Sequence, residues 1–151
     1  MNTIDIEELK KDMNFAKHIN LFDTTLRDGE QSPGIALTPD EKIQIAKKLD
    51  NLGINTIEMG FPIVSEGERE TARKLQSLNL NAELCGLSRA LKKDVDAVLD
   101  SDLSYMHTFI GTSPLHRDYK LKMSKEEILE KTVNTIEYGK DHGLTVEFSA
   151  E

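Results

Sequence analysis

Residues 19–34 read INLFDTTLRDGEQSPG, and the interpretation of the whole chain starts from this stretch. A short apolar segment that ends at Phe22 is followed at once by polar and charged side chains, among them Arg27 and Asp28. This pattern predicts a short strand that brings carboxylates and a guanidinium together at its end. Because unpaired charge beside a core is costly, such groups need a cation, an anionic ligand or one another. Spacing alone leaves two alternatives open, a ligand site and a solvated turn with a local ion pair.

The composition is typical of a globular chain of about one domain. The 151 residues are 38% hydrophobic and 30% charged, and a fold of this size buries roughly 70% of its extended surface. No stretch approaches the roughly 18 apolar residues of a membrane helix, and the first residues, MNTIDIEELKKDMNF, lack the apolar core of a secretory signal. We therefore expect a cytoplasmic protein with no membrane contact.

Charge and cysteine content argue against two further kinds of chemistry. The net charge is −8 and the acidic residues are scattered, so the basic face that binds nucleic-acid phosphates is missing. The one cysteine, Cys85, lies in the apolar run AELCGL, where a buried and inert thiol is expected. We therefore expect no nucleic-acid partner and no intrachain disulfide, whereas a small anion could bind through a local Arg or Lys.

Strand-like and helix-like segments alternate along the remainder of the chain. Further strands are predicted at 55–59, 82–87, 105–110 and 144–148. Strands separated by helices of this length pair in parallel through right-handed crossovers. An open doubly wound sheet would usually carry a glycine-rich turn after its first strand, and neither GxGxxG nor GxxxxGKS/T is present. A barrel is therefore favoured.

The predicted fold class is α/β, a (β/α) barrel of the TIM type of which residues 19–151 form the N-terminal part. About five parallel strands and four helices are expected, in a barrel that is incomplete in this chain. Its first and fifth strands would be unpaired edges, so aggregation, pairing of copies or a missing remainder is expected. Residues 1–18 are expected to form an N-terminal arm, with either a short helix over 4–17 or a frayed tail.

Capping boxes mark the starts of three predicted helices. They begin at Thr38, Ser65 and Ser124, each followed three residues later by a glutamate. The first helix should end before Gly53, and a shorter helix is expected over 95–100. The apolar stripes expected to be buried are Ile45, Ala46, Leu49 and Leu52 in the first helix and Ile128, Leu129, Val133 and Ile136 in the last.

Polar residues follow the predicted strands at the end where a TIM barrel carries its active site. Period two places Glu147, Ser149 and Glu151 on one face of the fifth strand, and Val146 and Phe148 on the other. The polar residues at or near the carboxyl ends of strands are Arg27, Asp28, Glu58, Arg89, His107 and Glu151.

Five segments, in this order, resemble the family of 2-isopropylmalate, homocitrate and citramalate synthases: DTTLRDGEQSPG, IEMGFP, SRALKKDVDA, HTFIGTSPLH and VEFSAE. The resemblance covers residues 19 to 151, and several motifs in the family's order are more specific than any one of them. It implies a TIM-barrel acyltransferase that uses a divalent metal ion, Mg²⁺, Mn²⁺ or Zn²⁺, to condense acetyl-CoA with a 2-oxo acid and then hydrolyses the thioester. It also implies a homodimer for the full-length enzyme.

This resemblance implies catalytic roles for three residues and one metal ligand. Asp28 resembles a ligand of the ion that chelates the 2-oxo acid. Arg27 is expected to point its guanidinium at the oxygen where charge develops, and Glu58 resembles the acidic partner that orients this arginine. Glu151 resembles a carboxylate near the metal-bound water and is the candidate acid or base.

Substrate contacts are implied for three more residues. Gln31 resembles a residue that touches the metal or the bound substrate, with a structural role in the turn as its alternative. His107 is similar to a pocket histidine of the isopropylmalate branch, although a lone histidine in a strand is usually a core residue. Ser149 resembles a contact to the 2-oxo acid.

The chain departs from the family pattern at the metal site. The remaining ligands of the family resemble an H-x-H pair on a later strand, and the four histidines of this sequence include no such pair. One carboxylate does not make a tight site for a divalent ion, so further ligands are expected beyond residue 151. We therefore expect the N-terminal part of a larger enzyme, inactive by itself. The alternative from another class is a non-catalytic half-barrel or assembly partner.

The choice of 2-oxo acid stays open. HTFIGTSPLH and GFP favour 2-isopropylmalate synthase, with 3-methyl-2-oxobutanoate as substrate in leucine biosynthesis. Ala90 and Leu91 follow Arg89 where homocitrate synthases carry a histidine, yet SRALKKDVDA and GFPIVSEGE also resemble archaeal homocitrate-type enzymes that extend 2-oxoglutarate. Citramalate synthase, which uses pyruvate, is the third alternative. A second substrate carboxylate needs a cationic partner, so an unpaired Arg or Lys in the pocket would discriminate.

Overall fold

The computed structural model describes residues 16–151, in which five strands form one parallel sheet. Neighbours in the sheet are also neighbours along the chain, so β1 and β5 are its two outer strands. Residues 1–15, and with them most of the predicted N-terminal arm, lie outside the described residues. The strands are β1 Phe22–Asp23, β2 Thr56–Gly60, β3 Glu83–Arg89, β4 Tyr105–Ile110 and β5 Thr145–Ala150.

Four α-helices connect these strands in the described part of the chain. The prediction of about five parallel strands with four helices is therefore confirmed. None of the helices formed by residues 16–151 has the length and apolar character needed to span a bilayer. The helices are α1 Pro39–Leu52, α2 Glu66–Gln76, α3 Lys92–Leu99 and α4 Lys125–Asp141, with 3₁₀ turns at Gly29–Gln31 and Pro62–Val64 and a π-helical turn at His116–Leu121.

Two of the three predicted capping boxes are complete, those at Thr38 and Ser124. In the third, the Ser65 hydroxyl oxygen accepts from the Glu68 N–H at 3.1 Å. The reciprocal bond is not made, because the Glu68 carboxylate accepts from Lys42 Nζ at 2.8 Å instead. Lys42, which is distant in sequence, has therefore taken the place of the Ser65 backbone N–H as the partner of the Glu68 carboxylate.

The helices pack against one face of the sheet, as right-handed crossovers between sequential strands require. Along β4 the side chains of Met106 and Ile110 are buried on this face, whereas Tyr105 and His107 are half-buried on the other. We call this other face the inner face, because it corresponds to the interior of a closed barrel. Residues that pack together beneath the helices include Leu26, Ile57, Leu84, Val95, Val98 and Met106.

Cys85 is buried in this fold, as predicted. Burial raises the pKa of its thiol, and the nearby Glu58 and Glu147 carboxylates act in the same direction. A thiol that does not ionise is a poor nucleophile, so the predicted burial is confirmed and the inertness of Cys85 stays a prediction.

The buried face of α4 differs from the predicted apolar stripe, and the prediction is wrong for Leu129 and Val133, which are exposed. Gly139 lies on the buried face, where a Cβ atom would stand 3.0 Å from Met106 Cε. Thr132 is also buried, and its hydroxyl donates to a backbone carbonyl one turn earlier at 2.7 Å. The close approach of α4 to β4 therefore selects small side chains over large apolar ones.

The buried stripe of α1 also needs a correction. Leu52 is 75% exposed, whereas Lys42, one turn before the buried Ala46, is 1% exposed. Ile45 and Leu49 pack against the core as predicted. The buried side of α1 thus includes the charged residue Lys42, which the apolar pattern did not predict.

A matched pair of substitutions tests which face of α4 is buried. Ile128 packs on Ala90 and Ile110, so Ile128→Ala should lower the free energy of unfolding by about 2–5 kcal/mol. Leu129→Ala should change it by less than about 0.5 kcal/mol, because the Leu129 side chain is exposed. Urea unfolding followed by circular dichroism measures both variants. Equal losses would contradict the orientation of α4.

Candidate active site

Five side chains are joined by hydrogen bonds across the inner face of β2, β4 and β5 and the turn after β1. Arg27 Nη1 donates to Asp28 Oδ1 at 2.7 Å, and Arg27 Nε donates to Glu58 Oε2 at 2.6 Å. The other oxygen of Glu58 lies 2.7 Å from His107 Nδ1, and His107 Nε2 lies 2.8 Å from Ser149 Oγ. We call these five residues the Arg27–Ser149 network. It brings together five of the seven predicted site residues.

The turn after β1 directs Arg27 toward the inner face. The Thr24 carbonyl oxygen accepts from the Arg27 N–H at 3.1 Å, which folds the backbone back on itself. The Asp23 carboxylate accepts from the backbone N–H of Thr25 at 2.9 Å and holds the start of this turn. Leu26 is fully buried in the core, whereas the next side chain, Arg27, reaches Glu58 on the inner face.

Glu58 is the buried anion of the network, with a side chain that is 0% exposed. Both of its oxygens are used, one by Arg27 and one by His107, and the charge is thereby compensated. With Nδ1 donating to this carboxylate, a neutral imidazole presents Nε2 as the acceptor for the Ser149 hydroxyl. Both ring nitrogens of His107 therefore face protein groups, and its contact with substrate stays a prediction.

Asp28 lies at the rim, with a side chain that is 59% exposed. A divalent ion takes several ligands, mostly carboxylates, carbonyls or waters for hard ions. Within residues 16–151, no three His, Cys, Asp or Glu side chains are grouped so that they could hold an ion. The described residues therefore provide one candidate carboxylate and do not fit a complete metal site.

Gln31 lies beside the network rather than in it. It ends the 3₁₀ turn Gly29–Gln31 and is exposed. Together with Arg27, Phe61 and Glu68 it lines a cavity of about 270 Å³ between the loops that follow β1 and β2. This position is open to a ligand, and the substrate contact predicted for Gln31 stays a prediction.

Glu151 extends the ladder of β5, since its N–H donates to the Ile110 carbonyl oxygen at 3.0 Å. Its carboxylate lies 3.9 Å from Lys120 Nζ and faces a second cavity of about 150 Å³ that Arg89 and Phe109 also line. No hydrogen bond or ion pair of the described residues joins this carboxylate to the Arg27–Ser149 network. In this part of the chain the structure therefore shows no direct bond between Glu151 and the network, and its role as acid or base stays a prediction.

Sequence reasoning missed two further pairs near the site. Tyr105 donates to Glu147 Oε2 at 3.0 Å on the inner face. Arg89 at the end of β3 binds the fully buried Asp94 with Nε and Nη2, at 2.7 and 3.0 Å. Period two along β4 and β5 could have found the first pair, because Tyr105 shares a face with His107 and Glu147 with Ser149. No comparable signal marks Asp94, which lies in a helix.

Comparison with known proteins identifies the family. The HMGL-like family model matches residues 18–151, and the chain belongs to this family. Over 146 residues it is 58% identical to a 2-isopropylmalate synthase of Methanocaldococcus jannaschii and 51% identical to a homocitrate synthase of Methanopyrus kandleri. Over 133 residues it is 51% identical to an (R)-citramalate synthase of Methanocaldococcus jannaschii. These alignments cover 97%, 97% and 88% of this chain, and they confirm the resemblance to this group of synthases.

The chain spans between about a quarter and two fifths of the length of these relatives, with shares of 28%, 37% and 27% in the same order. Among solved structures, a hydroxymethylglutaryl-CoA lyase from Pseudomonas aeruginosa matches with a TM-score of 0.74 and 24% identity. That match covers 90% of this chain and 47% of the lyase chain. The likeness concerns the fold, and with the sequential parallel strands it confirms an incomplete TIM barrel.

Glu58→Gln tests whether the network holds the buried carboxylate. The variant keeps the shape of the side chain but removes the charge shared by Arg27 and His107. It should lower the free energy of unfolding by about 1.5–3 kcal/mol, the range for a hydrogen bond to a charged group. Glu83→Gln is the matched control, since Glu83 is exposed on the neighbouring β3, and should cost less than about 0.5 kcal/mol. Similar small effects in urea unfolding of both variants would contradict the network.

Tyr105 should make the stability of the fold depend on alkaline pH. Burial, and then the hydrogen bond to Glu147, raise the pKa of Tyr105 to about 12. The unfolded chain loses this proton near pH 10, so its stabilising effect is complete below about pH 10 and is lost as the pH rises toward about 12. The absorbance at 295 nm of the parent minus that of Tyr105→Phe measures this titration. A midpoint near the ordinary value would contradict the burial.

Proposed function

We propose that this chain supplies the opening part of the catalytic barrel of a synthase that condenses acetyl-CoA with a 2-oxo acid. In this reaction a base removes a proton from the acetyl methyl group, and the resulting carbanion attacks the keto carbon of the 2-oxo acid, whose C=O π electrons move to the oxygen, which then takes up a proton. Water then cleaves the thioester and releases CoA. The observation that carries the proposal is the Arg27–Ser149 network, in a chain 58% identical to a 2-isopropylmalate synthase.

Arg27 is proposed to stabilise the charge that develops on the keto oxygen. Its Nε and Nη1 are held by Glu58 and Asp28, which fixes the plane of the guanidinium. Among residues 16–151, Nη2 has no hydrogen-bond partner, so its N–H groups are available to the oxygen. A fixed donor of this kind needs no reorganisation when the charge appears, and it stabilises the transition state more than the ground state.

The remaining predicted residues take supporting roles in this proposal. Ser149 would hold the 2-oxo acid, with its hydroxyl oriented by His107, and Gln31 would contact the substrate from the rim. Glu151 is the proposed acid or base, and Asp28 is one proposed ligand of a divalent ion. Such an ion would polarise the keto group, and its other ligands would have to come from outside the described residues. A homodimer and a cytoplasmic location are part of the same proposal.

The charges around the site support a 2-oxo acid with an uncharged side chain. The two arginines at the carboxyl ends of the described strands each have a carboxylate partner, Glu58 for Arg27 and Asp94 for Arg89, and the remaining nitrogen of Arg27, Nη2, is assigned to the keto oxygen. Glu147 lies two residues before Ser149 on the inner face, where a second substrate carboxylate would meet a like charge. 2-Oxoglutarate is therefore disfavoured, and we propose 3-methyl-2-oxobutanoate, hence a 2-isopropylmalate synthase of leucine biosynthesis. Pyruvate, the citramalate synthase substrate, is the second candidate.

The test is CoA release by the gene product that contains this chain, with acetyl-CoA, Mn²⁺ and each of the three 2-oxo acids. We expect kcat/KM for 3-methyl-2-oxobutanoate to exceed that for 2-oxoglutarate by at least about 100-fold, because an unpaired second carboxylate is strongly rejected. Arg27→Lys is the control for activity that depends on this site, and it should lower kcat by about 100- to 1,000-fold. A preference for 2-oxoglutarate would contradict the substrate assignment. Absence of 2-oxo acid binding in titration calorimetry would instead favour a non-catalytic half-barrel.

A further inference from the structure

Lys42 is a buried cation that the proposed reaction does not use directly. Its Nζ lies 2.8 Å from Glu30 Oε2 and 2.8 Å from Glu68 Oε1. Burial disfavours the ammonium form, but the hydrogen bonds to Glu30 and Glu68 outweigh it and raise the pKa of Lys42. A charged lysine at 1% exposure is retained only where its partners compensate the lost hydration.

The two carboxylates come from the loops that follow two neighbouring strands. Glu30 lies in the turn Gly29–Gln31, three residues after Arg27, and Glu68 lies in the first turn of α2 after β2. Lys42 on α1 therefore connects the turn that carries Arg27 to the loop that follows Glu58. Arg27 and Glu58 are the two residues whose hydrogen bond joins β2 to the turn after β1 in the Arg27–Ser149 network.

Other bonds hold this connection in place. The second oxygen of Glu30 accepts from the Leu37 N–H at 3.0 Å, which closes the loop between β1 and α1. Gly60, with φ of +153°, leaves room for the Glu68 carboxylate, since a Cβ atom at this position would collide with Glu68 Oε2. Glu30, Glu68 and Arg27 also line the cavity of about 270 Å³ described above. The two partners of Lys42 thus line the space next to the guanidinium.

We propose that Lys42 is a positioning residue for Arg27. By binding Glu30 and Glu68 together, Lys42 sets the distance between the turn after β1 and the end of β2, and so places the guanidinium where the 2-oxo acid binds. The effect on catalysis rests on the proposed function, whereas the structural connection between the two loops does not. Small displacements of such a group cost large factors in rate, about 100-fold for 1 Å.

Three variants separate positioning from stability. Lys42→Met leaves two unpaired carboxylates and is expected to destabilise the fold. The triple variant Lys42→Met, Glu30→Gln, Glu68→Gln removes these charges as well, so that it folds without the connection. Lys47→Met is the matched control, because Lys47 is exposed on the same helix α1.

Hydrogen exchange measured by mass spectrometry reports the connection independently of activity. In the triple variant, backbone amides in residues 24–37 should exchange at least about 10-fold faster than in the parent, because local opening becomes easier. Residues 125–141 should be unchanged, and Lys47→Met should match the parent throughout. Unchanged exchange in residues 24–37 of the triple variant would overturn the proposal, whether or not the parent is active.

Steady-state kinetics report the effect on Arg27. In the triple variant, kcat/KM for the 2-oxo acid should fall by about 10- to 100-fold, while KM for acetyl-CoA should stay within about twofold of the parent. If the triple variant has both the stability and the kcat/KM of the parent, Lys42 serves folding only, and the positioning role is overturned. A parent with no CoA release for any 2-oxo acid would overturn the proposed function instead, and the exchange result would still decide the connection.

Discussion

The buried carboxylate of Glu58 is the constraint on which the site depends. An anion without solvent must find both charge compensation and hydrogen-bond donors within the protein. Arg27 supplies the opposite charge and a donor from the turn after β1, and His107 supplies a second hydrogen bond from β4, two strands away from β2. Strands two positions apart lie roughly 9–10 Å from each other, so Glu and His side chains meet across β3 only on the concave side of a curved sheet. The buried Glu58 carboxylate thereby contacts both the turn after β1 and a strand that only the curvature of the sheet brings within reach.

Much of the fold could be predicted because its signals are local. The sequence predicts β4 at residues 105–110, where the structure has it, since a strand shows both faces in consecutive residues. Thr38 and Gly53 mark the ends of α1 by capping chemistry. The meeting of Arg27 and Glu58 could also be predicted, because parallel strands end at one rim of a barrel and the motifs around both residues match a known family.

What could not be predicted depends on pairs that form only in the folded chain. The sequence position of Glu68 predicts that it caps its own helix, but in the folded chain its carboxylate accepts a hydrogen bond from Lys42 instead. Leu129 continues an apolar pattern, yet the close approach of α4 to β4 turns the face with Gly139 inward. The Glu151 carboxylate lies 3.9 Å from Lys120 Nζ, a neighbour that the motif VEFSAE does not indicate. Local periodicity contains no information about these long-range partners.

β1 contributes only Phe22 and Asp23 to the backbone ladder, whereas β3 and β4 share five residue pairs. The turn that carries Arg27 and Asp28 therefore depends on side-chain bonds for its position, from Arg27 to Glu58 and from Glu30 to Lys42. A single substitution at one of these residues can shift the turn while the sheet beneath it persists. The sheet beneath the turn therefore tolerates sequence change better than the turn itself, and the chain as a whole is 51–58% identical to relatives named as three different synthases.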